Sequence, residues 1–211
     1  AGIVLGAEAW GEWAVALLAF VGGLLATLLV YFVARANGRA EVVTLLLTGI
    51  AVNAFAGAGL AFLIFAADAA SREQIIFWQL GSLSGSLWSE TGLVFIVTVL
   101  GVVASATLSR RFDLLALGER NARHLGIDVE RLRIGSIVIV AVLTAAGVAF
   151  VGIIAFVGLV VPHLVRMLVG PGHRALIPLS ALGGAVLLVL ADLLARTIIS
   201  GAELPIGMLT S

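Results

Sequence analysis

The chain has 211 residues, 62% of them hydrophobic and only 11% charged, with a formal net charge of zero. A mean hydropathy of +1.21 lies outside the range of soluble domains, and a balanced charge gives no drive to neutralise phosphates, which argues against a nucleic-acid binder. The chain contains neither cysteine nor lysine, so disulfides and cysteine-held metals are excluded, and a P-loop, which needs a lysine on the nucleotide phosphates, cannot be built from it.

Apolar runs of membrane length follow one another along the chain. Trp13–Ala34 carries no charge and ends at Arg35; at about 1.5 Å per residue it crosses a ~30 Å hydrocarbon core. Val42–Ala67 and Thr91–Ser109 are likewise uncharged, Ile134–Val165 is unbroken up to Arg166, and Ala175–Ser200 is apolar until Asp192 and Arg196. Ala1–Gly6 reads as the tail of an earlier span and Leu204–Ser211 as the opening of a later one. The expectation is an all-α, polytopic membrane protein: one transmembrane domain over 1–211, a fragment with about six spans and two partial ones.

The connection Asp68–Glu90 is too apolar for free solvation. Ile75, Ile76, Phe77, Trp78 and Leu80 predict a half-helix folded back into the bundle, with Gly81 and Gly85 turning the backbone; the alternative is an interfacial anchor alone, for which Trp78 and Trp88 suit the aromatic belt.

Charge is dense in one long stretch, Arg110–Arg133, which holds six arginines between long apolar runs. Asp113 is expected to cap a short helix over Leu114, Leu115 and Leu117 that Gly118 ends. A second helix, Glu119–Leu125, closes at Gly126, and Asp128 restarts the chain into the next span. Two stubby helices with a leucine patch and a basic rim form a docking knob for another protein.

Basic residues are retained on the cytoplasmic side of a membrane. Arg35, Arg39, the six arginines of 110–133, Arg166 and Arg174 share one side, and Arg72 and Arg196 the other, so the knob faces the cytoplasm. Ile134–Met167 then has two basic flanks. It is expected to cross twice, turning near Gly147–Gly152 and interrupted by Pro162; the alternative is one long tilted helix. His124, His163 and His173 form no ligand pair at helical spacing, no carboxylates are paired for acid–base work, and no cofactor is implied.

Six stretches, taken together, resemble one family. They are LLLTGIAVNA (Leu45–Ala54), FWQLGSLSG (Phe77–Gly85), LALGERNARHLG (Leu115–Gly126), FVGLVVPHLVR (Phe156–Arg166), LADLLAR (Leu190–Arg196) and AELPIG (Ala202–Gly207). They resemble the FecCD/BtuC-type permeases, the ten-span membrane subunits of bacterial ABC importers for iron-siderophores, haem and vitamin B12. The resemblance implies that Leu114, Leu115, Leu117, Gly118, Glu119, Arg120 and Arg123 dock a cytoplasmic P-loop ATPase by a helix-in-groove contact. It implies that Arg196, four residues after Asp192 and able to pair with it, meets an acidic residue of an extracytoplasmic binding protein. It places Thr48, Gly49, Asn53 and Gly57 on the wall of a pathway between two permease copies, although a lone asparagine also suits a contact between helices. Ala36–Thr44 matches the inner gate region, with Val42 and Val43 where small hydroxyl residues are expected.

The function this implies is a permease subunit of the bacterial inner membrane, itself no enzyme, that passes an iron chelate, haem or cobalamin. Its partners are a second permease copy, ATPase subunits, a binding protein and the bilayer. The alternative is a secondary transporter. Such proteins usually keep ionisable residues inside their spans, and the spans before Asp192 carry no acids.

Overall fold

The computed structural model describes residues 13–36, 39–40, 42–198 and 204–207. Helices make up nearly all of them: α1 (Ala14–Ala34), α2 (Val42–Ala66), α3 (Ala69–Leu80), α4 (Trp88–Thr107), α5 (Ser109–Leu115), α6 (Glu119–His124), α7 (Val129–Val151), α8 (Val157–Val169) and α9 (His173–Ile198). Between α1 and α2, β1 (Arg35–Ala36) pairs antiparallel with β2 (Arg39–Ala40). Apart from this minimal hairpin the described fold is all-α, as expected. The segments Ala1–Gly6 and 208–211, read above as parts of further spans, lie outside the described residues.

Five helices, α1, α2, α4, α7 and α9, are long and apolar enough to cross a membrane. Helix α4 begins three residues before its predicted start, because the Glu90 carboxylate accepts from the Leu87 backbone N–H at 3.3 Å and closes the first turn. The fold-back segment is α3. Asp68 caps it by accepting from Ser71 N–H at 3.1 Å, while Arg72 donates to the Ile64 and Ala67 carbonyls at 3.2 and 3.1 Å and terminates α2.

The stretch predicted to cross twice is two helices. Gly147 lies inside α7, so the expected turn at 147–152 falls slightly late: the break runs from Gly152 (φ 77°) to Phe156 (φ 62°). Phe156 holds a left-handed conformation, which costs a side-chain-bearing residue about 1 kcal/mol or more. The chain enters α7 beside the knob and returns to it, where the His173 N–H reaches the Asp113 carboxylate at 2.9 Å. It therefore goes out and comes back. With 13 residues, α8 is only about 20 Å long, and α7 makes the full crossing.

Small residues let these helices approach closely where the surroundings supply no hydrophobic drive between them. Helix α7 buries Ala141, Ala145, Ala146 and Ala149, and a Cβ at Gly23 of α1 would stand 3.2 Å from that of Ala145. Gly183 of α9 meets Val161 of α8 in the same way, at 3.1 Å.

At the end far from the knob, three backbone segments interlock. Ser82 N–H donates to Val151 C=O at 2.9 Å, and Ile206 N–H to Gly81 C=O at 3.0 Å. Gly81 has φ +66°, and a Cβ there would stand 2.8 Å from the Ile153 carbonyl oxygen. A methyl group on Gly152 would collide with the Trp78 carbonyl, and one on Gly207 with the Leu80 carbonyl. Ile206 is sealed against Ala191 and Ala195 of α9, with Leu83, Leu188 and Leu204 around it.

Candidate functional site

The knob is α5 and α6 with their connections. Gly118 (φ +102°) turns the chain between the two helices, as expected. Helix α6 closes at Gly126 (φ +82°), with Ile127 N–H bonding back to Ala122 C=O at 3.0 Å. This is the left-handed ending that glycine permits without strain. Asp128 then caps α7 by accepting from Arg131 N–H at 3.0 Å.

Two expectations need correction. Helix α5 starts at Ser109, so Asp113 lies inside it and caps nothing locally. Its Oδ1 instead accepts from the backbone N–H of His173, the first residue of α9, and lies 2.7 Å from His173 Nδ1. The bond from the His173 backbone, then that from the imidazole, favour the charged carboxylate and hold Asp113 below the ordinary carboxylate pKa. The leucine patch is also differently composed. Leu114 and Leu115 are half-buried, whereas Leu117 is 61% exposed and is joined by Leu125 at 59%. Leu125 is the member that sequence reasoning does not find. It follows a helix that is polar except for Ala122, so no apolar face in the sequence points to it.

The rim charges are organised. Glu119 pairs with Arg123 at 3.3 Å and also with Arg133. Arg133, with a side chain only 13% exposed, reaches Glu130 at 3.2 Å, and Glu130 accepts from the Tyr31 hydroxyl of α1 at 3.0 Å. Arg120 is exposed on α6.

At the far end of α9, Arg196 Nε donates to Asp192 Oδ2 at 2.8 Å, and the arginine side chain remains 46% exposed. On α2, Asn53 and Gly57 are exposed, and Thr48 and Gly49 are half-buried. Among the described residues, none approaches Gly49 or Gly57 closely enough to meet an added Cβ. The predicted gate, Ala36–Thr44, lies partly outside the described residues.

The knob, the Asp192–Arg196 pair and the exposed α2 face belong to one bundle of apolar helices. The profile of the FecCD transport family matches residues 1–211. The chain belongs to the FecCD transport family. Among curated relatives, this FecCD chain is 40% identical to the hemin transport system permease HmuU of Yersinia pestis, covering 92% of this chain and 58% of that protein. It is 41% identical to the cobalamin import permease BtuC of Halobacterium salinarum (92% and 52%) and 40% identical to the ferric dicitrate permease FecD of Escherichia coli (92% and 60%). The chain therefore spans between half and two-thirds of the length of these relatives. A solved ABC transporter assigned to the metal-chelate type, in an inward-facing conformation, superposes with a TM-score of 0.81 at 31% identity, covering 99% of this chain and 70% of that one. Family and fold together make this FecCD chain part of a multi-pass protein of the inner membrane.

Proposed function

We propose that the chain is the coupling half of an ABC importer permease that passes a bulky metal chelate across the membrane. The observation that carries this is the knob: two short helices presenting Leu117 and Leu125 to water, rimmed by Arg120 and Arg123, at the end where α1, α4, α7 and α9 converge. Bare leucines over a basic rim fit an apolar groove with acidic edges, and burying the exposed part of two such side chains gives about 2–4 kcal/mol towards docking. With no lysine in the chain, nucleotide hydrolysis by a P-loop belongs to the partner, an ATPase subunit. The permease supplies wall and lever.

The cycle follows from differential binding. The ATP-bound partner favours one arrangement of the knob, and the helices attached to it follow. Arg196, half exposed at the opposite end, is placed to steer an acidic patch of a binding protein. The uncovered face of α2, carrying Thr48, Gly49, Asn53 and Gly57, lines the passage against a second permease copy. Relatives named for hemin, cobalamin and ferric dicitrate stand at 40%, 41% and 40% identity. The cargo class they share is a large chelated metal, and similarity alone selects none of the three.

The test is co-purification of the full-length permease with its ATPase. Leu117→Asp together with Leu125→Asp abolishes association, while assembly in the membrane is unchanged. Retained association with both aspartates in place refutes the docking role.

A further inference from the structure

Helix α9 starts without a cap of its own. The residues before it are Gly170, Pro171 and Gly172, which have no side-chain oxygen to accept from the first N–H groups of the helix. Pro178, six residues in, removes another backbone bond from the opening turns. The missing acceptor comes from 60 residues earlier: Asp113 on α5 takes both the His173 N–H and, on the same oxygen, the imidazole Nδ1. The Phe112 and His173 rings lie 5.5 Å apart. A carboxylate on the knob thus closes the end of a helix in the bundle.

That helix is long. Its 26 residues run about 39 Å, from Asp113 at one end to the Asp192–Arg196 pair and the sealed Ile206 cluster at the other. The knob's other polar anchors lead elsewhere: Glu119 pairs with Arg133 on α7, which also holds Glu130, and Glu130 accepts from Tyr31 on α1.

We propose that the Asp113–His173 contact is the joint that transmits displacement of the knob along α9 to the outer mouth. Asp113 and His173 are then positioning residues for transport, distinct from the leucines that hold the ATPase. The proposal rests on the docking reading above, and it adds a direction to the stroke. Movement reaches the binding-protein end through α9, whereas the α6–α7–α1 charge network anchors the knob's second arm.

The experiment uses the full-length permease with its ATPase and binding protein in liposomes, comparing Asp113→Ala, Asp113→Asn and the double variant Asp113→Ala/Gly172→Ser. Serine at 172 gives α9 a local cap, so the double variant repairs the helix start without rebuilding the joint. All three retain ATPase association and basal hydrolysis. Stimulation of hydrolysis by loaded binding protein falls about fivefold or more in Asp113→Ala and in the double variant, and stays within about twofold of the parent in Asp113→Asn, whose Oδ1 still accepts from His173. Full stimulation in Asp113→Ala overturns the proposal. Recovery in the double variant also overturns it, because Asp113 is then only a cap. Loss of ATPase association in the double variant overturns it too, because Asp113 then shapes the docking surface. If Asp113→Ala alone fails to assemble, stimulation of the double variant decides between joint and cap. Failure of the docking reading itself is seen separately, as ATPase association that survives the two leucine-to-aspartate changes.

Discussion

The two ends of the bundle are fastened by different chemistry. At the knob, the fasteners are side chains: Asp113 to His173, Glu119 and Glu130 to Arg133, Tyr31 to Glu130. At the far end they are backbone groups, with Ser82 bonded to Val151 and Ile206 to Gly81, packed so tightly that only glycine fits at 81, 152 and 207. Long side chains change rotamer and keep a bond while their helices shift. A carbonyl pressed against a glycine has no such slack. The knob end is built to move while staying attached, and the far end to hold the segments of the bundle in register.

The sharpest way to break this contrast is Gly152→Ala. Its methyl group meets the Trp78 carbonyl and its backbone must keep φ +77°, which together cost about 3 kcal/mol. Gly147→Ala, on the same helix with open space around it, is neutral. Thermal unfolding of the full-length permease in detergent reads both, and equal stability of the two variants contradicts the glycine lock.

A smaller effect separates two arginines of the knob. Arg133→Ala leaves Glu119 and Glu130 without their shared partner beneath a largely covered side chain, for a loss of about 2 kcal/mol. Arg123→Ala breaks a pair whose two side chains are each 45% exposed and costs less than about 0.5 kcal/mol. Denaturation midpoints that rank the two the other way would show that the network contributes nothing to holding the knob.

The smallest effect is a pH dependence. The folded-state pKa of Asp113 lies below the ordinary carboxylate value. The stability its bond contributes is thus complete above that ordinary value and is lost as the pH falls through the lower, folded one. Hydrogen-exchange protection of the His173 amide stays level from neutral pH down to the ordinary carboxylate range and drops below it. In Asp113→Asn the profile is flat. A drop already near neutral pH would contradict the assignment to Asp113.

What can be read along the chain is local. Gly118 and Gly126 end short helices, Asp128 begins one, and the uncharged runs become α1, α2 and α4, because each depends on neighbours within a few positions. The double passage of 134–167 is legible from the arginines on either side of it. Asp113 reads wrongly as a local cap because its partner lies 60 residues away, and a capping aspartate looks the same whether it serves its own helix or a distant one. The lock at Gly81, Gly152 and Gly207 gives no signal, since each glycine stands in an ordinary turn-like context and only the meeting of three segments makes it indispensable. Leu125 escapes a reading of the sequence because exposure follows from tertiary placement and has no periodicity to betray it.

The loan of an acceptor from α5 to α9 also sets a timetable for biogenesis. A ribosome delivers Asp113 to the translocon well before His173 emerges, so the receptor is already in place when α9 arrives. Swapping the chain order of these two elements, as a circular permutation would, leaves the newborn helix to wait with a frayed end.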